Sequence, residues 1–132
     1  MATTQSHDSF SLLLVEDDDM VNMAICRILA RRFPESAIYT AENGLTGLEL
    51  FKEHSPDIVI TDINMPLMDG IEMAYRIRSI NSKTKFIVLT GYSDGNYLEK
   101  FSEIGFDEYM VKPVDFRKLF TAVEKCRAGT MP

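Results

Sequence analysis

Acidic residues stand directly behind two apolar runs of the chain. Glu16 and Asp17 follow Leu12–Val15, and Asp62 ends the segment that begins at Ile58. Apolar runs without alternation are typical of strands covered on both faces, as in parallel sheets. Open α/β sheets bind ligands at the carboxyl ends of such strands. We therefore expect these three carboxylates, remote in sequence, to converge at one edge of a sheet.

Three carboxylates at bonding distance in a partly dry cleft would repel one another, and at least one would tend to stay protonated. A divalent cation removes this repulsion, and ligands that are all oxygen atoms favour Mg²⁺, with Mn²⁺ as an alternative. Glu16, Asp17 and Asp62, together with the backbone carbonyl of Asn64, would leave coordination positions for water or a phosphoryl oxygen.

Two more polar residues follow later apolar runs. Thr90 follows Phe86–Leu89, and Lys112 follows Tyr109–Val111. In the same sheet, a hydroxyl donor and a mobile ammonium would join the carboxylates, and such a group can bind and orient a phosphoryl group. Asp62 would then be the nucleophile and form an acyl phosphate.

Length and composition exclude several classes of protein. The chain has 132 residues, 45% of them hydrophobic, which suits one domain with one core. Its net charge of −6 argues against sequence-independent binding to nucleic acid or to an anionic membrane. There is no apolar run of membrane-spanning length and no signal-like N-terminus, so we expect a cytoplasmic protein. Cys26 and Cys126 are expected to be buried free thiols.

The elements that must position the site alternate along the chain. Apolar periodicity predicts five strands, each followed by a helix, and the helices are expected to end or begin near Pro34, Asn43, Asp69, Asn96 and Asp115. This alternation predicts an α/β fold with a doubly wound parallel sheet and right-handed crossovers in a single domain. We expect a disordered tail over residues 1–9, the domain over 10–128 and a C-terminal tail over 129–132.

The same periodicity predicts which helical side chains are buried. The side chains expected to face the sheet are Leu45, Leu48 and Phe51 in the second helix, and Phe116, Leu119, Phe120 and Val123 in the last. Asn22 and Arg78 are expected to face away from the core. Asp18, Asp19 and Asp69 are expected to cap helices, where negative charge at the N-terminus is favourable.

In four segments the sequence resembles the receiver domain of two-component response regulators, and the likeness extends over about residues 10–128. The segments are Leu-Leu-Val-Glu-Asp-Asp at 13–18, Asp-Ile-Asn-Met-Pro-Leu-Met-Asp-Gly at 62–70, Leu-Thr-Gly at 89–91 and Tyr-Met-Val-Lys-Pro at 109–113. The resemblance implies a flavodoxin-like fold with strand order 2-1-3-4-5.

The resemblance also implies roles for the site residues. Asp62 would accept a phosphoryl group from a phosphohistidine on a histidine kinase or histidine phosphotransfer protein. Glu16 and Asp17 match the acidic pair that binds the metal, Asn64 matches the carbonyl ligand, and Lys112 matches the lysine of the site. The domain would be a signalling module and not an enzyme, with phosphoryl uptake and autodephosphorylation as its only chemistry.

Thr90 matches the switch hydroxyl of the family, and Tyr109 matches the aromatic residue whose rotation reports phosphorylation. The surface changed by that rotation would be formed by the fourth helix, fifth strand and fifth helix, and it could bind an output partner or a second copy of the chain. Two positions depart from the commonest pattern. Glu16 stands where Asp is usual and could reach the metal through water, and Gly91 replaces a frequent Ala, which leaves the site more open.

Three other interpretations compete with this one. A phosphohydrolase would need a proton donor where Asn64 stands, and a flavin or nucleotide domain would need a Gly-rich loop where the acidic run lies. A receiver-like module that is not phosphorylated usually lacks one of the key residues, and none is missing here. The cognate kinase, the output partner, the oligomeric state, the lifetime of the phosphoryl group and any larger regulator or hybrid kinase are left open.

Overall fold

Five strands and five helices alternate over residues 10–91 and 94–130, the part of the chain that the computed structural model describes. The strands are β1 (Ser11–Val15), β2 (Ala37–Ala41), β3 (Ile58–Asp62), β4 (Lys85–Thr90) and β5 (Glu108–Val111). The helices are α1 (Asp19–Arg32), α2 (Gly44–His54), α3 (Gly70–Ile80), α4 (Gly95–Ile104) and α5 (Phe116–Thr130). The predicted tail over residues 1–9 lies outside the described residues, and α5 extends into the predicted C-terminal tail.

The strands form one parallel sheet in the order β2-β1-β3-β4-β5, which confirms the predicted fold. The register pairs Val15 with Thr61, Asp62 with Leu89, and Thr90 with Val111. The carboxyl ends of β1, β3, β4 and β5, four consecutive strands of the sheet, are therefore level with one another along the carboxyl edge. The functional side chains at these four strand ends must therefore line a single cleft.

Both faces of the sheet are covered, because alternate residues of each inner strand point to opposite sides. On one face Leu12, Leu14, Ile60 and Leu89 pack with α1 and α5. On the other face the strands pack with α2, α3 and α4 through Leu13, Val15, Val59, Phe86 and Val88. No described helix has the length and apolar content needed to cross a bilayer.

The expected caps begin the helices that flank the site. The Asp18 carboxylate accepts from the backbone N–H groups of Met20 and Val21, at 3.0 and 3.1 Å. The Asp69 carboxylate accepts from the N–H of Glu72 at 2.9 Å. These bonds satisfy N–H groups that have no partner within the helix, and so fix where α1 and α3 start behind the strand ends.

Two apolar side chains predicted to be buried are not. Leu45 is 43% exposed and Phe116 is 41% exposed, whereas Leu48, Phe51, Leu119 and Val123 are buried. The inward position near the start of α2 is taken by Gly47, where an added Cβ would lie 2.8 Å from Met73 Sδ. The close approach of α2 to α3 thus rotates Leu45 toward solvent.

Two polar side chains predicted to face away from the core instead bind backbone across segments. The Asn22 amide donates to the carbonyls of Glu16 and Ala41, each at 3.1 Å. The Arg78 guanidinium donates to Ser82, Thr84 and Gly105 carbonyls and lies 4.8 Å from the centre of the Phe86 ring. Both side chains tie a helix to a loop, and the expectation that Arg78 is simply solvated was wrong.

The cysteines differ in burial. Cys126 is buried, and Cys26 is only half-buried, so the expected burial is correct for one of the two thiols. Both are free of disulfide bonds. Burial raises the pKa of the Cys126 thiol to about 12.

Candidate functional site

The carboxylates that end β1 and β3 lie together. One oxygen atom from each of Glu16, Asp17 and Asp62 lies within 4.8 Å of the other two. Glu16 is fully buried and Asp62 is 5% exposed, whereas Asp17 is exposed at the mouth. The structure therefore brings together the three side chains that the sequence analysis singled out as metal ligands.

Glu16 is held in the site by its backbone and by one of its two carboxylate oxygens. Its N–H donates to the carbonyl of Ala41 at 3.0 Å, and its Oε2 accepts from the N–H of Asp18 at 3.0 Å. The other oxygen, Oε1, is buried and accepts no well-directed hydrogen bond, although Lys112 Nζ lies 3.0 Å away. A buried carboxylate oxygen with spare capacity is suited to a cation.

Lys112 lies between the two buried carboxylates. Its Nζ is 2.8 Å from Asp62 Oδ2 and 3.0 Å from Glu16 Oε1. Burial lowers the pKa of Lys112, but the hydrogen bond that Lys112 donates to Asp62 and the negative charges of Asp62 and Glu16 outweigh this effect and raise the pKa above 10.5. Its backbone N–H donates to the carbonyl of Thr90 at 2.7 Å. The ammonium is thus a permanent positive charge fixed beside Asp62.

Asp62 has an unusual proton affinity for a carboxylate. Burial raises its pKa from 3.8 to about 7, and the charge of Glu16 adds to this, while the hydrogen bond from Lys112 works against it. A nucleophilic carboxylate must be ionised. The one lysine beside Asp62 does not keep this carboxylate fully ionised at neutral pH, and a divalent cation at the oxygens of Glu16, Asp17 and Asp62 would do so. The residues present therefore fit a hard metal ion.

The backbone after Asp62 turns sharply away from the strand. The N–H of Gly70 donates to the carbonyl of Ile63 at 2.7 Å, and a Cβ at Gly70 would lie 2.2 Å from the carbonyl oxygen of Asp62. Only glycine fits at this distance. The start of α3 is thus packed directly against the backbone that carries Asp62.

Thr90 and Tyr109 lie on the neighbouring strands. Thr90 ends β4 and is 4% exposed, and Tyr109 on β5 is 52% exposed with its ring edge against Phe106 at 5.8 Å between centroids. A hollow of about 230 Å³ lies behind the strand ends. It is lined by Thr90, Gly91, Asp94, Gly95, Leu98 and Val111.

Asn64 follows Asp62 by two residues, and its side chain has a partner that sequence reasoning missed. The Asn64 amide donates to Asp94 Oδ1, and Asp94 Oδ2 accepts from the N–H of Gly91 at 2.7 Å. Asp94 is only 6% exposed and makes no side-chain cap bond to α4. In the sequence, an Asp before a helix reads as an N-cap, so no local signal marks this carboxylate as turned toward the site.

Comparison with known proteins identifies the family. The family described as response regulator receiver domain matches residues 12–124. The chain belongs to this family. The chemotaxis protein CheY of Bacillus subtilis is 32% identical over 114 residues, which are 86% of this chain and 94% of CheY. This receiver domain is therefore part of two-component signalling.

Longer relatives and solved structures agree. The probable C4-dicarboxylate response regulator DctR of Priestia megaterium is 34% identical over 91% of this chain, but the match covers 53% of DctR. The chain thus spans about half the length of that relative. A receiver domain protein from Clostridium thermocellum is 28% identical with a TM-score of 0.82, covering 90% of this chain and 94% of that one. The N-terminal domain of an uncharacterized protein from Wolinella succinogenes is 34% identical with a TM-score of 0.84 and the same coverage.

Proposed function

We propose that this receiver domain takes up a phosphoryl group on Asp62, in a Mg²⁺-dependent reaction, from a phosphohistidine on a histidine kinase or histidine phosphotransfer protein. The observation that supports this most is the position of the Asp62 carboxylate. This carboxylate is almost buried and shares the ammonium of Lys112 with Glu16. With a pKa of about 7, it requires a further positive charge to be fully ionised at neutral pH. We place this chain in the cytoplasm, where it would meet that phosphohistidine donor.

The carboxylates of Glu16, Asp17 and Asp62 and the backbone carbonyl of Asn64 would hold Mg²⁺, or Mn²⁺ in its place. The ion supplies charge that offsets the repulsion among the acids and the negative charge of the incoming phosphoryl oxygens. Three carboxylate oxygens within 4.8 Å and the unsatisfied Glu16 Oε1 support this assignment. Because the side chain of Glu16 is fixed by Asp18 N–H, Oε1 is the oxygen available for a metal or for a water bound to it.

In the transfer step, an oxygen of Asp62 forms a bond to phosphorus and the phosphorus–nitrogen bond of the phosphohistidine breaks. The electron pair of that bond stays on the imidazole nitrogen, and the imidazole leaves as the neutral ring if its other nitrogen already carries a proton, or takes a proton from solvent if it does not. Lys112 Nζ is 2.8 Å from Asp62 Oδ2, so after transfer its ammonium can pair with a negatively charged phosphoryl oxygen. Return to the free carboxylate is hydrolysis by water, so no separate substrate is turned over.

The new phosphoryl group would act on the rest of the domain through Thr90. It adds about −1.5 to −2 charges and three acceptor oxygens, so a hydroxyl within reach gains by donating to it. Movement of Thr90 would enlarge the hollow that Thr90 and Val111 line, and the Tyr109 ring would then turn inward from its half-exposed position. The affected surface, α4–β5–α5, would then bind an output partner or a second copy of the chain. If the Tyr109 ring keeps one orientation with and without a phosphoryl mimic, this relay is wrong.

The competing phosphohydrolase mechanism gains no support from the site. It requires a proton donor two residues beyond the nucleophile, and that residue is Asn64, whose amide is committed to Asp94. An amide cannot transfer a proton in this way.

The direct test is to incubate the protein with Mg²⁺ and acetyl phosphate and to weigh it intact by mass spectrometry. We expect one added phosphoryl group, which does not form when a chelator is present during the incubation. The Asp62→Asn variant should remain at its unmodified mass. Equal labelling of this variant would overturn the assignment of the acceptor.

A further inference from the structure

Asp94 is a buried carboxylate that the transfer step does not use. It is 6% exposed, and it joins the two loops that border Asp62. One oxygen accepts from the side chain of Asn64, and the other accepts from the backbone N–H of Gly91 at 2.7 Å. The backbone N–H of Asp94 also donates to the carbonyl of Gly91 at 3.1 Å. Asp94 makes no side-chain cap bond in α4.

Both donors bound by Asp94 are next to moving parts of the proposed switch. Asn64 lies two residues beyond the acceptor Asp62, and Gly91 directly follows the switch residue Thr90. A shift of the Thr90 backbone toward a phosphoryl group carries the N–H of Gly91 with it, because the Thr90 carbonyl and that N–H belong to the same peptide bond. That movement pulls on a charge-assisted hydrogen bond, which is stronger than a neutral one.

Charge acts in the same direction. Asp94 is acidic and nearly buried, and a phosphoryl group on Asp62 places up to two more negative charges at the same edge of the sheet. Like charges in a poorly solvated region oppose one another. The carboxylate of Asp94 therefore holds back the Gly91 segment that a phosphoryl group would draw toward Asp62. Its negative charge also repels the phosphoryl group.

We propose that Asp94 is a positioning residue that holds Gly91 and Asn64 in the unphosphorylated arrangement, so that phosphorylation must release this contact before Thr90 can move. The proposal rests on the proposed function of Asp62. It makes Asp94 a determinant of how readily the switch responds, without direct contact with the reacting atoms.

The test compares wild type with Asp94→Asn, which keeps the shape of the side chain and removes its charge. The probe is beryllofluoride, a phosphoryl mimic, added with saturating Mg²⁺, and the readout is the ¹⁹F NMR signal of 3-fluorotyrosine at position 109. In Asp94→Asn, half of the Tyr109 signal should convert at a beryllofluoride concentration about tenfold lower than in wild type. A typical coupling free energy between two sites changes affinity by about this factor. The Mg²⁺ concentration that half-saturates the metal site should be the same in wild type and Asp94→Asn.

Asp57→Asn is the matched control. The Asp57 carboxylate also bridges two segments by accepting from a backbone N–H, that of Ser11 at 2.9 Å, but at the opposite end of the sheet. It should convert at the wild-type concentration. A second variant, Asn64→Ala, keeps the backbone carbonyl and breaks only one of the two bonds to Asp94, so it should shift in the same direction by less. It also decides the matter if Asp94→Asn does not fold.

The outcomes separate the two proposals. If wild type takes up phosphoryl groups and switches, but Asp94→Asn needs the same or more beryllofluoride, the restraint by Asp94 is refuted and the role of Asp62 stands. A change in the Mg²⁺ midpoint alone would also refute it, because Asp94 would then act on the metal ligands. If wild type shows no uptake at Asp62, both proposals fail.

Discussion

The raised pKa of Asp62 predicts an unusual dependence of stability on pH. An acid whose pKa is higher in the folded chain holds its proton more tightly when folded. Its contribution therefore favours folding at low pH and is lost as the pH rises from 3.8, the unfolded value, to about 7, the folded value. The perturbation that isolates this contribution is Asp62→Asn, because asparagine has the same shape and does not titrate.

The magnitude follows from the size of the shift. A change from 3.8 to about 7 corresponds to a destabilisation of about 4 kcal/mol at pH 8 relative to acid, at about 1.4 kcal/mol per pH unit. Between pH 5 and pH 8, the free energy of unfolding of wild type should fall by about 3 kcal/mol relative to Asp62→Asn. Glu16→Gln removes the neighbouring charge that helps to raise the pKa of Asp62, and it should reduce this difference.

The assay is denaturant unfolding of wild type and Asp62→Asn at pH 5, 6, 7 and 8, first with a chelator and then with saturating Mg²⁺. With the chelator, the stability difference should widen as the pH rises. With Mg²⁺ it should become nearly flat, because a cation beside the carboxylate keeps it ionised. If the stability difference between wild type and Asp62→Asn stays constant from pH 5 to pH 8 with the chelator, the raised pKa of Asp62 is refuted.

Three further predictions concern the scaffold of the site. Gly70→Ala should lower the free energy of unfolding by about 3 kcal/mol, because its Cβ would meet the carbonyl oxygen of Asp62 at 2.2 Å; an unchanged denaturation midpoint would contradict the close contact. Asn22→Ala should cost about 1–3 kcal/mol, since it removes the side-chain donor to the carbonyl of Glu16 and one of two donors to the carbonyl of Ala41, and urea unfolding measures this loss. At pH 8 a thiol reagent should label Cys26 before Cys126, whose thiol is buried with a pKa of about 12; peptide mapping that finds Cys126 labelled first in the folded protein would contradict its burial.

The sequence could predict the sheet and its functional edge for one physical reason. Strands covered on both faces need continuous apolar runs, so the polar residues Glu16, Asp62, Thr90 and Lys112 at their ends are conspicuous. The strand order was not available from these runs and came from the resemblance to a family. The carboxyl ends of parallel strands always lie at the same edge of a sheet, so the clustering of these polar residues could be predicted without the strand order.

Other features were hidden because they depend on contacts between distant segments. Asn22, Arg78 and Asp94 are polar residues on or beside helices, and nothing local shows that their partners are backbone groups or an amide elsewhere in the chain. Helical phase was also misjudged at Leu45, because the close packing of Gly47 against Met73 sets the rotation of α2. Local periodicity gives the existence of a buried face but not its fine orientation.

The identity of the phosphorylated atom is the centre of this account, and chemical trapping locates it directly. Borohydride reduces an aspartyl phosphate to homoserine, and peptide mass spectrometry then reads the position of the change. After incubation with Mg²⁺ and acetyl phosphate, we predict homoserine at position 62 and at no other acidic residue. Homoserine at Asp17 or Asp94, or a stable phosphoryl group on a hydroxyl or histidine with residue 62 unchanged, would contradict it.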